Sequence, residues 1–176
     1  TRVEPSLEAC FVDYGTEKQG FLPFKEIDFR YLPEVNGQRG REFSKLPVGT
    51  ELIVQVEKDE RGNKGAALTS YVTLPGRYLV LMPNNSRAGG ISRRIEGEER
   101  DELKTVMAQL DTPQGMSVIL RTAALGRVIE ELQWDLTYLL KLWTAIRSAA
   151  EEQTGSFLIY QESSLVIRSI RDHFSP

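Results

Sequence analysis

Up to Thr73 the apolar residues tend to recur at every second position, and beyond Arg127 they recur at every third or fourth. Successive side chains on a strand point to opposite faces, whereas a helix returns to one face only after three or four residues, so the two stretches belong to different architectures. Residues 8–15 (EACFVDYG) put Cys10, Val12 and Tyr14 on one face of a strand and Phe11 and Asp13 on the other. Residues 15–20 read as a turn and residues 20–24 as a second strand. Residues 28–47 are polar and contain glycine, which predicts a long loop with at most one helical turn. Residues 51–58 (ELIVQVEK) alternate again with Leu52, Val54 and Val56 inward; residues 59–63 turn, and residues 64–73 return as a strand. Short strands in this order, joined by hairpins, predict a small five-stranded barrel of the OB type whose first strand is cut short at the N-terminus.

The second part is mixed, which makes the expected fold α/β in the α+β sense. Residues 78–82 are an apolar strand, PNNSRAGG is a loop, and residues 91–94 form a further short strand. Residues 98–110 predict a helix, with Leu103, Val106, Met107 and Leu110 on one stripe and acidic residues in its first turn, ended by Pro113 and Gly115. Residues 116–122 predict a strand. Residues 127–152 predict a long helix with Ile129, Leu132, Leu136, Leu139, Leu140, Trp143 and Ile146 on its apolar stripe. Residues 156–160 read as a strand, and a strand or helix begins at Leu165.

The net charge of −3 argues against a uniformly basic coat, so any nucleic-acid binding must come from local clusters. One cysteine, Cys10, and one histidine, His173, leave no internal disulfide and no multi-cysteine or multi-histidine metal site within the chain. No run of about 18 apolar residues and no signal peptide are present, so the expected location is the cytoplasm. Thr1, Arg2 and Val3 read as the middle of a strand without an initiator Met, and the expectation is an excised fragment.

Three groups of residues could carry chemistry. Phe11 points away from the inferred core, and Phe21 lies on the adjacent strand; two exposed aromatics on neighbouring strands make a stacking platform for single-stranded bases. Lys58 and Lys64 flank the next hairpin and could meet phosphates. Spacing alone leaves open the alternative that both phenylalanines are core and both lysines merely solvated. The second group is Arg77, Arg87, Arg93 and Arg94 in residues 75–94, with Arg121 and Arg127 in residues 112–129, both segments free of acids. A guanidinium matches phosphate oxygens bidentately, but a set of solvated arginines fits the same count. Third and sharpest are Arg121 and Thr122, at the end of an apolar strand and ahead of a Gly-containing turn. An Arg fork, a Thr hydroxyl and backbone N–H groups converging there would hold a terminal phosphate, with a monophosphate fitting better than a triphosphate.

A nuclease centre needs clustered carboxylates for Mg²⁺. Asp13, Asp28, Asp59, Asp101, Asp111, Asp135 and Asp172 are scattered, and Glu98, Glu99, Asp101 and Glu102 crowd a helix N-terminus, where the helix dipole accounts for them. Neither a GxxxxGK[ST] loop nor a GxSxG elbow occurs. No catalytic or metal-binding residue is assigned within the chain.

The runs RVEPSLEACFVDYG, GFLPFKEI, KDERGNKGAALT, YLVLMPNNSRAGGISRRIEG, RTAALGR, LQWDL and FLIYQES resemble the catalytic-half sequence of the ribonuclease E/G family. The resemblance runs from residue 1 to about residue 174 and weakens only in residues 28–47 and 105–114. It implies an RNA-binding OB domain at 1–72, a 5′-sensor domain at 73–166 and the start of an RNase H-like segment at 167–176. By the family pattern Phe11, Phe21 and Lys64 contact RNA, with Lys58 a nearby candidate. Arg121 and Thr122 match the residues that grip a 5′-monophosphate, and Gly76, Val80 and Arg93 match positions lining that pocket.

The implied role is the RNA-binding and 5′-monophosphate-sensing region of a single-strand-specific endoribonuclease of RNA processing and mRNA decay. The implied partner is single-stranded RNA with a 5′-monophosphate, and full-length members are expected to be homo-oligomers. The family's metal-binding aspartates and zinc-linking cysteines have no match in this chain, so Mg²⁺ belongs to the full-length enzyme, no cofactor is expected here, and Cys10 reads as a small core residue. Two rivals stand beside this reading. One is a self-contained Mg-dependent nuclease; the other is a protein-interaction module docking through the long helix.

Overall fold

The computed structural model describes residues 2–15, 18–31, 34–35, 38–39, 49–60, 62, 65–86, 89–152, 157–162 and 165–170. The alternating segments are strands and the segments of helical period are helices, so the chain is α+β. It divides into two compact units, one of Thr1–Tyr71 with Ile146–Pro176, the other of Val72–Ala145.

The first unit is built on a seven-stranded sheet. Its strands are β1 (Arg2–Glu4), β2 (Ala9–Val12) and β3 (Gly20–Pro23), then, beyond a small hairpin of β4 (Glu34–Val35) and β5 (Gln38–Arg39), β6 (Leu52–Lys58) and β7 (Ala67–Thr69). The spatial order begins β1-β2-β3-β7-β6, with every pairing antiparallel except β3 against β7. One face is the core predicted from the alternation: Cys10, Val12, Tyr14, Leu22, Ile27, Leu52, Val54, Ala66 and Leu68 are buried together, and Val56 packs against them. Gly20 makes room in β3 for the buried Leu68: a Cβ there would lie 2.4 Å from Leu68 Cδ1, and that side chain would have to shift.

The expected closed barrel is not what the described residues form. Closure needs β6 to pair with the other edge of the three-residue β1, but among the described residues β1 pairs with β2 alone. The free side of β6 pairs instead with β13 (Leu165–Ile170), which pairs with β12 (Phe157–Glu162), so the sheet stays open. Residue 165 therefore starts a strand, and one of its two partners, β6, is distant in sequence, which no local pattern could indicate.

The second unit has a four-stranded sheet of order β10-β11-β9-β8. These are β8 (Leu74–Pro75), β9 (Leu79–Met82), β10 (Gly90–Ile91) and β11 (Ser117–Leu120), with α1 (Gly97–Gln109) between the last two. β10 runs parallel to β11, and the other pairs are antiparallel. Leu79, Leu81, Val118 and Leu120 form its buried face, while Val80 and Ile119 are half-buried on the other. Two predicted strands are shorter than expected: residues 93–94 turn instead of extending, and β11 stops at Leu120 before a short 3-10 turn over Thr122–Ala124. The long helix α2 (Ile129–Glu152) buries Leu132, Leu136, Leu139, Trp143 and Ile146 of the predicted stripe, and leaves its other two members, Ile129 and Leu140, half-buried. Truncating one of these leucines to alanine would cost about 2–5 kcal/mol.

Candidate nucleic-acid interface

In the first unit the outward face of the sheet carries one continuous row. Phe11 lies opposite Phe21, Phe21 opposite Ala67 and Ala67 opposite Lys58, so the row crosses four strands. Phe11 and Phe21 are half-buried, and their rings meet edge to face at 6.0 Å between centroids and 67° between planes. Each projects away from the core because its strand neighbours, Cys10 and Val12 or Gly20 and Leu22, are buried. Beside the rings the row holds only the methyl group of Ala67, then Lys58, whose side chain is exposed. Aromatic faces bordered by a cation suit a base-stacking surface that tracks a phosphate backbone. Lys64 lies outside the described residues, as does Arg87.

Acidic residues in this unit have structural partners. Asp28 is buried, pairs with the Arg30 guanidinium at 2.6 Å, and donates its own N–H to Ser70 Oγ. That carboxylate raises the Arg30 pKa through its hydrogen bond. Asp13 accepts the Gly15 N–H at 2.9 Å. Burial pushes the Cys10 thiol up to about 11, as expected of a small core residue away from water.

In the second unit, strand ends bring the other predicted residues together. β10 and β11 end side by side, Ile91 opposite Leu120, and the Ser92 N–H donates to Leu120 O at 2.9 Å. Arg93 leaves the end of β10, and Arg121 and Thr122 leave the end of β11, at the same edge of the sheet. The antiparallel neighbour β9 starts there too: Leu79 faces Leu120, and the Arg121 N–H donates to Tyr78 O at 2.8 Å. Gly76 lies in the turn between β8 and β9, and Val80 is opposite both Pro75 and Ile119. Thus Gly76, Arg93, Arg121 and Thr122 gather at one sheet end, with Val80 one residue inside it. Arg93, Arg121 and Thr122 are exposed.

The Arg121 guanidinium donates from Nη1 to Gly76 O at 2.7 Å. A guanidinium has five N–H donors, so this one bond fixes its direction and leaves most of its donors for an anion. Nearby, the Arg77 and Arg127 guanidinium carbons lie 5.7 and 5.4 Å from the Tyr78 ring centroid. Arg127 also faces Glu131 at 3.7 Å, and Glu131 accepts from the Tyr78 hydroxyl.

Two residues that local sequence reasoning passed over hold these turns. Asp135 on α2 accepts three backbone N–H groups, from Arg77 at 3.1 Å, Tyr78 at 2.9 Å and Leu79 at 3.2 Å. Arg100 on α1 donates from Nη1 to three carbonyls, Ile91, Ser92 and Ile95, around the turn that carries Arg93. Each reads in sequence as an ordinary charge on the polar face of a helix, and neither spacing nor composition marks it out. Among the described residues no three His, Cys, Asp or Glu side chains gather as a metal site. No helix of the described residues is long and apolar enough to cross a membrane.

Comparison with known proteins assigns the ancestry of this surface. Residues 73–176 match the profile of the Ribonuclease E/G family. The chain belongs to the ribonuclease E/G family. It is 58% identical over 175 residues to Ribonuclease E of Escherichia coli (strain K12), covering 98% of this chain and 16% of that protein. Ribonuclease E of Haemophilus influenzae is 59% identical over 175 residues, with 98% of this chain and 19% of that protein covered. Ribonuclease G of Salmonella typhimurium is 40% identical over 179 residues, covering 98% of this chain and 36% of that protein. The chain therefore spans less than a fifth of the length of these two ribonuclease E relatives. This member of the ribonuclease E/G family carries an aromatic sheet face and an arginine-bearing sheet end.

Proposed function

We propose that this chain is the RNA-binding and 5′-monophosphate-sensing region of a single-strand-specific endoribonuclease of RNA processing and mRNA decay, and that it does not cut RNA by itself. One observation carries the reading: Gly76, Arg93 and the Arg121–Thr122 pair, from three separate stretches of the sequence, reach the same end of one sheet, with the Arg121 fork held on Gly76 O. Arg121 grips the terminal phosphate through charge-assisted bonds, Thr122 adds its hydroxyl, and Arg93 meets the next phosphates. Val80 supplies an apolar wall for the terminal nucleotide.

Residues 1–72 act as an OB-type domain. The order β1-β2-β3-β7-β6 and its single parallel pairing support that topology in an open form. Phe11 and Phe21 stack bases, and Lys58 and Lys64 neutralise the backbone beside them. Residues 73–166 form the sensor, and residues 167–176 lead into an RNase H-like segment. The whole enzyme is cytoplasmic and homo-oligomeric, and in it capture of the 5′ end lowers the cost of aligning a distant scissile bond. Docking through the apolar stripe of α2 has no support, because Leu132, Leu136, Leu139 and Trp143 are buried.

The test compares a short 5′-monophosphorylated RNA with its 5′-hydroxyl twin by fluorescence anisotropy. The phosphorylated RNA binds more tightly, and Arg121→Ala removes about 1.5–3 kcal/mol of that preference. Equal affinities for the two RNAs in the unaltered chain would end the sensor reading.

A further inference from the structure

Gly76 is the point where the sheet end meets α2. A Cβ at that position would lie 2.6 Å from Asp135 Oδ2 and 2.7 Å from Oδ1, so only glycine lets the backbone come this close to the carboxylate. Asp135 in turn accepts the N–H groups of Arg77, Tyr78 and Leu79, three consecutive donors of one turn. On that same turn the Gly76 carbonyl receives the Arg121 guanidinium, and the Tyr78 carbonyl receives the Arg121 N–H. Both the main chain and the side chain of Arg121 are therefore docked on a segment whose conformation one carboxylate holds.

We infer that Asp135 is the positioning residue of the anion site: it fixes the turn from Gly76 to Leu79, and through the Gly76 carbonyl it aims the Arg121 fork. The inference rests on the 5′-phosphate reading above. With three backbone donors directed at it, the negative charge of Asp135 is compensated within the turn, so it can stand behind an anion site without repelling the ligand strongly. Its action reaches the ligand only through Arg121. A carboxylate accepts from all three N–H groups; an asparagine of the same size turns an NH₂ toward one or more of them and loses the charge.

The experiment measures, on the 176-residue chain, the ratio of affinities for 5′-monophosphorylated and 5′-hydroxyl RNA in the unaltered protein, Asp135→Asn, Arg121→Ala and the double variant. Asp135→Asn should lower the ratio about fivefold, a change of roughly 1 kcal/mol, with 5′-hydroxyl affinity unchanged and no further loss in the double variant. A merely structural role would lower the melting temperature and leave the ratio alone. If Asp135→Asn does not fold, Gly76→Ala, which drives a methyl group into the intact carboxylate, must lower the ratio in the same way. A folded Asp135→Asn, or failing that a folded Gly76→Ala, that keeps the full ratio while Arg121→Ala abolishes it overturns the inference and spares the sensor reading. A ratio of one in the unaltered chain removes that reading and this inference together.

Discussion

In the seven-stranded sheet Phe11 and Phe21 meet because two adjacent strands alternate in phase, whereas in the four-stranded sheet Arg121 meets Gly76, with Arg93 at the same sheet end, because separate strand ends lie side by side. The first surface needs nothing beyond a sheet with one buried face: once Cys10, Val12 and Leu22 are inside, the phenylalanines have no other side to occupy. The second needs its turns held from behind, by Asp135 on α2 and Arg100 on α1. A stacking face tolerates ångström-scale slack, since every base presents a π-face. The Arg121 fork is directional, and on the proposed reading its aim depends on the polar clamps beside it.

The sharpest way to break this contrast is to attack the buried side of the aromatic sheet. Cys10 is the only cysteine in the sequence, and burial raises its pKa from 9.0 to about 11. A raised thiol pKa means the folded state keeps a proton that the unfolded state gives up. The associated stability is intact below pH 9 and lost as pH rises through 11, on the order of 2–3 kcal/mol. Denaturant midpoints should fall more across that range in the unaltered chain than in Cys10→Ala, whose remaining loss comes from other groups such as the Tyr31 phenol, also raised by burial.

A slightly smaller effect sharpens the contrast directly. Phe11→Ala should weaken RNA binding by about 1–3 kcal/mol, equally for 5′-monophosphorylated and 5′-hydroxyl RNA. Raising the salt should shrink the 5′-phosphate preference while leaving the Phe11 increment nearly constant, because screening acts on charges and not on stacking. Anisotropy titrations at two salt concentrations check both statements, and a loss confined to the phosphorylated RNA would show that the two surfaces are not separable.

The smallest effect concerns α2, where Trp134 is 72% exposed on the side away from the buried stripe. Trp134→Ala should change stability by no more than about 0.5 kcal/mol and leave both RNA affinities as they were. A large loss of RNA affinity would place part of the binding surface on the helix and redraw the comparison.

The amino-acid order alone indicated the two helices and most of the longer strands, though not the short β4, β5 and β8, and it indicated which side chains face the core in residues 8–15 and 51–58 and most of the buried stripe of α2. It also carried the family, through runs such as YLVLMPNNSRAGGISRRIEG. These follow from periods of two and 3.6, which any short window contains. Tertiary structure alone decided that β6 pairs with β13 rather than with β1, that β11 stops before Arg121, and that Asp135 and Gly76, distant in the chain, stand against each other. A hydrogen bond between residues 58 apart, such as that from the Arg77 N–H to Asp135, has no periodicity to betray it. It exists only after two elements have packed and their backbone groups need partners.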